Sequence, residues 1–144
     1  MNSLNKKEII SLTNITSPFL MIDKIENLIK LKSSMGIKKI EKDAWFLRCH
    51  FKNNPMMPGT LIEESMLQTI VCTLYSSKRF KNKVCLITSC RTNFYNKVSN
   101  SSLLKIKAKI LKITKLKVEA TAIVYDDRNT KISSGIYNYF ISKK

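Results

Sequence analysis

The segment from Pro58 to Ser77 constrains the fold more than any other part of this sequence. It contains no lysine or arginine, although these two residues make up 26 of the 144 positions. Its apolar side chains fall on every face of a helical wheel, which is typical of a helix buried on all sides. Pro58 suits the first turn of a helix, where a missing N–H costs nothing. The sequence therefore predicts one long buried helix around which the rest of the chain must fold.

The segments on both sides of this helix have the patterns of β-strands. Residues 19–42 are rich in apolar and β-branched side chains, and Gly36 among them is typical of a bend or bulge. Residues 103–113 alternate between lysine and apolar residues, which indicates a sheet with one solvated face. The meander of three or four strands after the helix favours antiparallel pairing. With a short helix over Asn5–Leu12, the order predicts a single α+β domain over residues 1–144.

The charge of the chain favours anionic partners. Lysine and arginine outnumber aspartate and glutamate by 26 to 10, giving a formal net charge of +16, and such a protein attracts nucleic acid, membrane surfaces and acidic proteins. No nucleic-acid-binding signature accompanies the charge. No apolar run is long enough to span a bilayer, and the first residues do not form a secretory signal. We therefore expect a cytoplasmic protein with no membrane insertion and no nucleic-acid partner.

The cysteines give no indication of a metal site. They show no CxxC spacing, and the chain contains a single histidine, so zinc would need ligands from scattered positions. We predict reduced and mostly buried thiols at Cys49, Cys72, Cys85 and Cys90.

His50 and Glu64 form the strongest candidate for acid–base chemistry. His50 lies on the loop before the predicted helix, and Glu64 lies near the second turn of that helix. Histidine titrates near neutrality, and burial on an apolar helix disfavours the charged form of a carboxyl. A base beside a protonated acid is what β-elimination next to a thioester carbonyl requires. From spacing alone, a polar surface histidine and an acid favoured only by the helix dipole remain the simpler alternatives.

The beginning of the helix offers a further chemical group. The N–H groups around Gly59 and Thr60 are free to bind a thioester oxygen, and the helix dipole favours the negative charge that develops there. Of the neighbouring acids Glu63 and Glu64, we expect one to be exposed and inert.

The segment from Cys49 to Gln68 resembles the signature of FabZ-type 3-hydroxyacyl-acyl-carrier-protein dehydratases. In that family the loop has the pattern G-H-F-P-x-x-P-x-M-P-G, followed by a helix with L-I-x-E-A-x-A-Q. Here the loop is CHFKNNPMMPG and the helix begins TLIEESMLQ. SPFLMIDKI upstream resembles the family's Y-P-F-L-L-V-D-R-V, and RTNFYNKV downstream resembles R-F-x-x-P-V more faintly. Departures from the pattern, which indicate a divergent member, include Cys49, Lys52, Ser65 and Leu67.

The resemblance implies a hot-dog fold and a lyase activity. Such enzymes dehydrate 3-hydroxyacyl thioesters to trans-2-enoyl thioesters in fatty-acid or related biosynthesis, and they use no cofactor. His50 and Glu64 match the family's catalytic pair, which leaves Glu63 as a bystander. Glutamate rather than aspartate at this position favours a plain dehydratase over a dehydratase-isomerase. The acyl tunnel would be lined by Phe51, Met57, Leu61 and Gln68.

The resemblance also implies partners. Similar enzymes are homodimers, often assembled as hexameric trimers of dimers, with each active site formed by the histidine of one subunit and the glutamate of the other. Their substrate is attached to acyl carrier protein, which is acidic and would be steered by a basic surface. Candidate docking residues are Arg48, Arg91 and Lys97.

Three alternatives remain open from the sequence. A non-catalytic hot-dog protein that binds an acyl chain or its carrier need not keep His50 and Glu64. A thioesterase of the same fold typically lacks this loop. A nucleic-acid-binding domain would account for the charge, but the aromatic residues alternate as in ordinary strands.

Overall fold

The computed structural model describes residues 2–144, which form two α-helices and six β-strands. Short 3-10 helices precede and follow the second α-helix. The predicted order of elements is confirmed, although Pro58 is the N-cap of the long helix and not part of its first turn. The bounds are α1 (Lys6–Thr13), β1 (Lys24–Ile29), β2 (Ser33–Lys39), α2 (Gly59–Tyr75), β3 (Lys83–Phe94), β4 (Leu103–Ile113), β5 (Lys117–Tyr125) and β6 (Lys131–Lys143).

The six strands form one antiparallel sheet in the order β1-β2-β4-β5-β6-β3. The expected meander is correct for β4, β5 and β6 but wrong for β3, which pairs with β6 while β4 pairs with β2. The reason is that α2 packs against every strand and carries the chain across the sheet, so that β3 begins at the far edge. The connection after β3 then brings the chain back across the sheet, so that β4 pairs with β2.

One face of the sheet packs against α2 and the other is solvated. The alternation predicted for β4 is confirmed, since Ile106 and Ala108 are buried whereas Lys107 and Lys109 are exposed. On α2, Met66 is completely buried in the same core. None of the helices in residues 2–144 is both long and apolar enough to cross a membrane.

Gly36 allows the close approach of α2 to β2. The strand continues through Gly36 in register with Ile106, so the expected bend is absent, and the irregular pairing lies in β1 between Glu26 and Ile29. A Cβ atom at position 36 would overlap the Thr69 hydroxyl and lie 3.1 Å from its Cγ2. The glycine is therefore required by helix–sheet packing and not by a turn.

All four cysteines are free thiols. Cys72 is buried and Cys85 is half-buried, but Cys49 and Cys90 are exposed, so the prediction of mostly buried thiols is wrong for these two. Cys49 ends a surface 3-10 helix and Cys90 lies on the edge strand β3, where the sheet leaves side chains uncovered.

The edge formed by β3 is long and apolar. It has 12 residues, and within residues 2–144 it pairs only with β6. Leu86, Ile87 and Phe94 on this strand are 50%, 44% and 50% exposed. An open edge with exposed apolar side chains is a template for pairing with another strand.

Candidate active site

His50 is held by the loop that joins the first 3-10 helix to α2. Its backbone N–H donates to the Phe46 carbonyl at 2.9 Å, and its own carbonyl accepts from the Met56 N–H at 2.8 Å. The ring Nδ1 lies 3.1 Å from the Met56 carbonyl oxygen. Because a carbonyl can only accept, Nδ1 carries the proton of the neutral ring and Nε2 is left as the basic nitrogen.

Glu64 lies in the second turn of α2 and is half-buried. Burial raises the pKa of its carboxyl above the ordinary value; a hydrogen bond from Gln68 opposes this rise, and the neighbouring Glu63 charge adds to it. A carboxyl whose neutral form is favoured in this way suits the role of a proton donor.

Gln68 connects Glu64 to the chain before β1. Its side-chain nitrogen donates to the Glu64 carboxyl and to the Phe19 carbonyl, each at 2.9 Å, and its side-chain oxygen accepts from the Met21 N–H at 2.8 Å. Gln68 is buried. The residue predicted to line a tunnel therefore also positions Glu64.

The start of α2 presents two free N–H groups. The Pro58 carbonyl accepts from the N–H groups of Leu61 and Ile62, whereas within residues 2–144 those of Gly59 and Thr60 have no acceptor. A groove of about 280 Å³ opens at this point and is lined by Gly59, Met57, Phe94 and Lys97, among others. The N-terminus of α2 therefore offers donors and a favourable dipole to a negatively charged oxygen.

Glu63 is not the exposed acid that the sequence suggested. It is half-buried, and its carboxylate accepts a hydrogen bond from the Thr92 hydroxyl, which lies 2.8 Å from the hydroxyl of the fully buried Tyr137. Thr92 and Tyr137 belong to β3 and β6. No local sequence pattern predicts these contacts, because Glu63 and Thr92 are 29 residues apart and Thr92 and Tyr137 are 45 residues apart.

The structure does not bring His50 and Glu64 into hydrogen-bond contact within one described chain. Glu64 lines a groove beside β3, and His50 is not among the residues that line it. Within a single subunit the His50 ring and the Glu64 carboxyl therefore do not share a hydrogen bond or a groove. That they act together in one active site stays a prediction.

The other predicted site residues are spread around this region. Phe51 is 53% exposed and stacks on the His50 ring with centroids 3.8 Å apart. Met57 is in the core, and Leu61 packs partly against that core. Arg48 and Arg91 are exposed, the latter on β3 opposite Ile136 of β6. These tunnel and docking assignments stay predictions.

Within residues 2–144, no three His, Cys, Asp or Glu side chains are grouped to hold a metal ion.

The sequence also matches a known family. A family model described as the FabA-like domain matches residues 14–132. The chain belongs to this family. A FabA-like relative named 3-hydroxyacyl-acyl-carrier-protein dehydratase FabZ, from Clostridium botulinum, is 34% identical over 97 residues, or 67% of either chain. A protein of the same name from Clostridium novyi is 32% identical over 112 residues, covering 77% of this chain and 79% of the relative.

Solved structures confirm the fold of this FabA-like chain. Zebrafish thioesterase superfamily member 2 superposes with a TM-score of 0.74 and 12% identity, over 95% of both chains. The PaaI protein of the E. coli phenylacetic acid degradation operon gives a TM-score of 0.66 and 9% identity, over 81% of this chain and 80% of its own. The predicted α+β hot-dog fold is therefore confirmed, and at these identities the likeness concerns the fold alone.

Proposed function

We propose that this FabA-like protein dehydrates 3-hydroxyacyl thioesters carried by acyl carrier protein, forming trans-2-enoyl thioesters. The proposal rests on two residues of the family signature, His50 and Glu64, of which the first presents a base and the second a proton donor. His50 has its Nδ1 directed to a carbonyl, which leaves Nε2 as a base, and Glu64 has a raised pKa. The curated relatives named as dehydratases support the same chemistry.

The reaction is a β-elimination in which each group has one task. Nε2 of His50 takes the proton from the carbon next to the thioester carbonyl, and the electron pair of that bond forms the new double bond. The Glu64 carboxyl gives its proton to the hydroxyl on the next carbon, which leaves as water. The free N–H groups of Gly59 and Thr60 bind the thioester oxygen while it carries negative charge. Solvent then returns the proton from His50 to Glu64.

We further propose that each active site is shared between two subunits of a homodimer, with the histidine of one and the glutamate of the other. Three observations support this assembly. Glu64 lines a groove beside the open edge strand β3, and that strand exposes apolar side chains that a second β3 would cover. His50 and Glu64 of one subunit make no hydrogen bond to each other in the described chain.

The acidic carrier would dock on a basic surface near the start of α2. Lys97 supports this placement best, because it lines the same groove as Gly59. Arg48 at the end of the first 3-10 helix adds a second exposed cation. The formal charge of +16 would speed encounter with an acidic partner.

Turnover of a carrier-bound 3-hydroxyacyl thioester tests the activity, with the absorbance of the conjugated product as readout. We expect His50→Ala and Glu64→Gln each to abolish turnover, because one removes the base and the other the proton donor. Glu119→Gln, which changes an exposed glutamate on β5, is the matched control and should remain active. Release of free carrier thiol without an enoyl product would indicate a thioesterase instead. Absence of any turnover by the wild type, with binding retained, would indicate a non-catalytic binder.

Mixing the two inactive variants tests the shared site. After subunit exchange at equal concentrations, half of the dimers are mixed, and each mixed dimer carries one intact site out of two. About a quarter of the wild-type activity should therefore return. If His50 and Glu64 of the same subunit acted together, no mixed dimer would contain an intact site and the mixture would stay inactive.

A further inference from the structure

The solvated face of the sheet carries a column of lysines along β4, which lies between β2 and β5. Lys105, Lys107 and Lys109 alternate with buried residues, so their side chains project from the face opposite to α2. At about 3.4 Å per residue, successive lysines of the column start roughly 7 Å apart. Among residues 2–144, none of the three forms an ion pair with a carboxylate. The column therefore concentrates positive charge that the described chain does not neutralise.

The residues beside this column are apolar or uncharged. An exposed sheet gains stability when an acid lies directly opposite a lysine on the next strand. No acid does so here: the cross-strand neighbours of the column are Ile37, Met35 and Ser33 on β2 and Tyr125, Ile123 and Thr121 on β5. Glu119, the one acid of β5, is paired with Lys112 farther along β4. The face thus combines uncompensated cations with apolar side chains on both sides of them.

A cavity of about 520 Å³ opens on this face and is lined by Met35, Lys105, Lys107, Tyr125 and Asn129. The Lys107 ammonium lies over the Tyr125 ring, 5.1 Å from its centroid, and this contact favours a position of the cation at the cavity wall. No acidic residue of the described chain lines the cavity. Two ammonium groups and a side-chain amide are donors that suit a phosphate group.

We propose that the β4 lysine column and its apolar neighbours on β2 and β5 form a surface that binds membranes containing anionic phospholipids. The lysine ammonium groups contact headgroup phosphates, and their methylene stems lie along the apolar side chains beside them. Met35, Ile37 and Ile123 enter the boundary between headgroups and acyl chains. A nucleic acid would neutralise the lysines but would give these three apolar residues no partner. The inference is independent of the proposed reaction.

Flotation of the protein with lipid vesicles tests the inference. At physiological salt we expect binding to vesicles of phosphatidylcholine and phosphatidylglycerol in equal parts, and none to pure phosphatidylcholine. The triple variant Lys105→Gln, Lys107→Gln, Lys109→Gln should bind about a hundredfold more weakly, since each lysine at an anionic surface contributes roughly fivefold. Its midpoint of urea denaturation should equal or exceed that of the wild type, because the variant loses only repulsion between like charges.

A second triple variant, Lys6→Gln, Lys7→Gln, Lys78→Gln, is the matched control. It removes the same total charge from exposed positions on α1 and on the 3-10 helix after α2. We expect it to bind the anionic vesicles almost as tightly as the wild type. Equal weakening by the two triple variants would show that net charge alone attracts the protein to the vesicles, and would overturn the inference.

The double variant Ile37→Thr, Ile123→Thr tests the apolar part of the surface, because it keeps every charge and the β-branched shape of both side chains. We expect it to lower vesicle binding severalfold and to remove the binding that persists in high salt, where apolar contacts remain and charges are screened. Vesicle binding equal to that of the wild type would contradict the assigned role of the apolar residues.

Three further outcomes would overturn the inference. The first is a wild type that does not float with anionic vesicles. The second is tighter binding of a single-stranded oligonucleotide than of vesicles, lost in the β4 lysine variant, which would make the face a nucleic-acid surface. The third is a smaller assembly of the β4 lysine variant in light scattering with unchanged vesicle binding, which would mean that a second copy of the chain covers the face.

Discussion

The side-chain nitrogen of Gln68 donates a hydrogen bond of 2.9 Å to the Glu64 carboxyl, one turn earlier on α2. The same amide group binds the backbone of Phe19 and Met21. A single buried side chain therefore joins the candidate proton donor to the segment before β1. Changes at Gln68 should affect both the acidity of Glu64 and the stability of the fold.

Gln68→Met should destabilise the protein and raise the pKa of Glu64 further. The buried Met21 N–H would lose its acceptor, which costs about 1–3 kcal/mol. The hydrogen bond from Gln68 favours the ionised carboxylate, so its loss favours the neutral acid. Urea denaturation measures the first effect, and a carboxyl ¹³C NMR titration of Glu64 measures the second. A titration midpoint equal to or below that of the wild type would contradict the assigned role.

Glu63→Gln should lower the pKa of Glu64 towards its ordinary value. The reason is that the adjacent carboxylate, anchored by Thr92, disfavours a second negative charge on the same helix turn. Thr92→Val is the control, since it removes the hydrogen bond but leaves the charge of Glu63. The same NMR titration distinguishes the variants, and identical Glu64 midpoints in Glu63→Gln and wild type would rule out the coupling.

Glu64 should make the protein less stable as the pH rises. Its pKa in the folded state is raised above 4.5, so the folded protein holds this proton more tightly than the unfolded chain. The resulting stabilisation is complete below pH 4.5 and is lost as the pH rises through the raised pKa. Free energies of unfolding measured across this range should fall less steeply in Glu64→Gln than in the wild type. Equal slopes would show that the carboxyl titrates normally.

Gly36→Ala should destabilise the protein by about 1–3 kcal/mol, since the added methyl group overlaps Thr69 on α2. Thr69→Ala removes the hydroxyl and methyl groups with which it would collide. The double variant should therefore be less destabilised than the sum of the two single variants. Thermal or urea unfolding of all four proteins completes the cycle. Strict additivity would mean that the glycine serves some other purpose.

Much of this protein is determined locally by its sequence. The buried helix follows from apolar residues on all faces of a segment without lysine or arginine, and β4 follows from strict alternation of lysine with apolar residues. Both patterns depend on neighbours a few residues away, and both are confirmed. The loop and helix signature predicts His50 and Glu64 as the candidate pair, because the family resemblance is carried by consecutive residues.

Only the tertiary structure decided which distant groups meet. The position of β3 beside β6, the anchoring of Glu63 by Thr92 and the bonds of Gln68 to Phe19 and Met21 all depend on contacts between residues far apart in the chain. Periodicity predicts which face of an element is buried, but it carries no information about the partner element. The path of α2 across the sheet sets those partners, and with them the groove beside β3 that Glu64 lines.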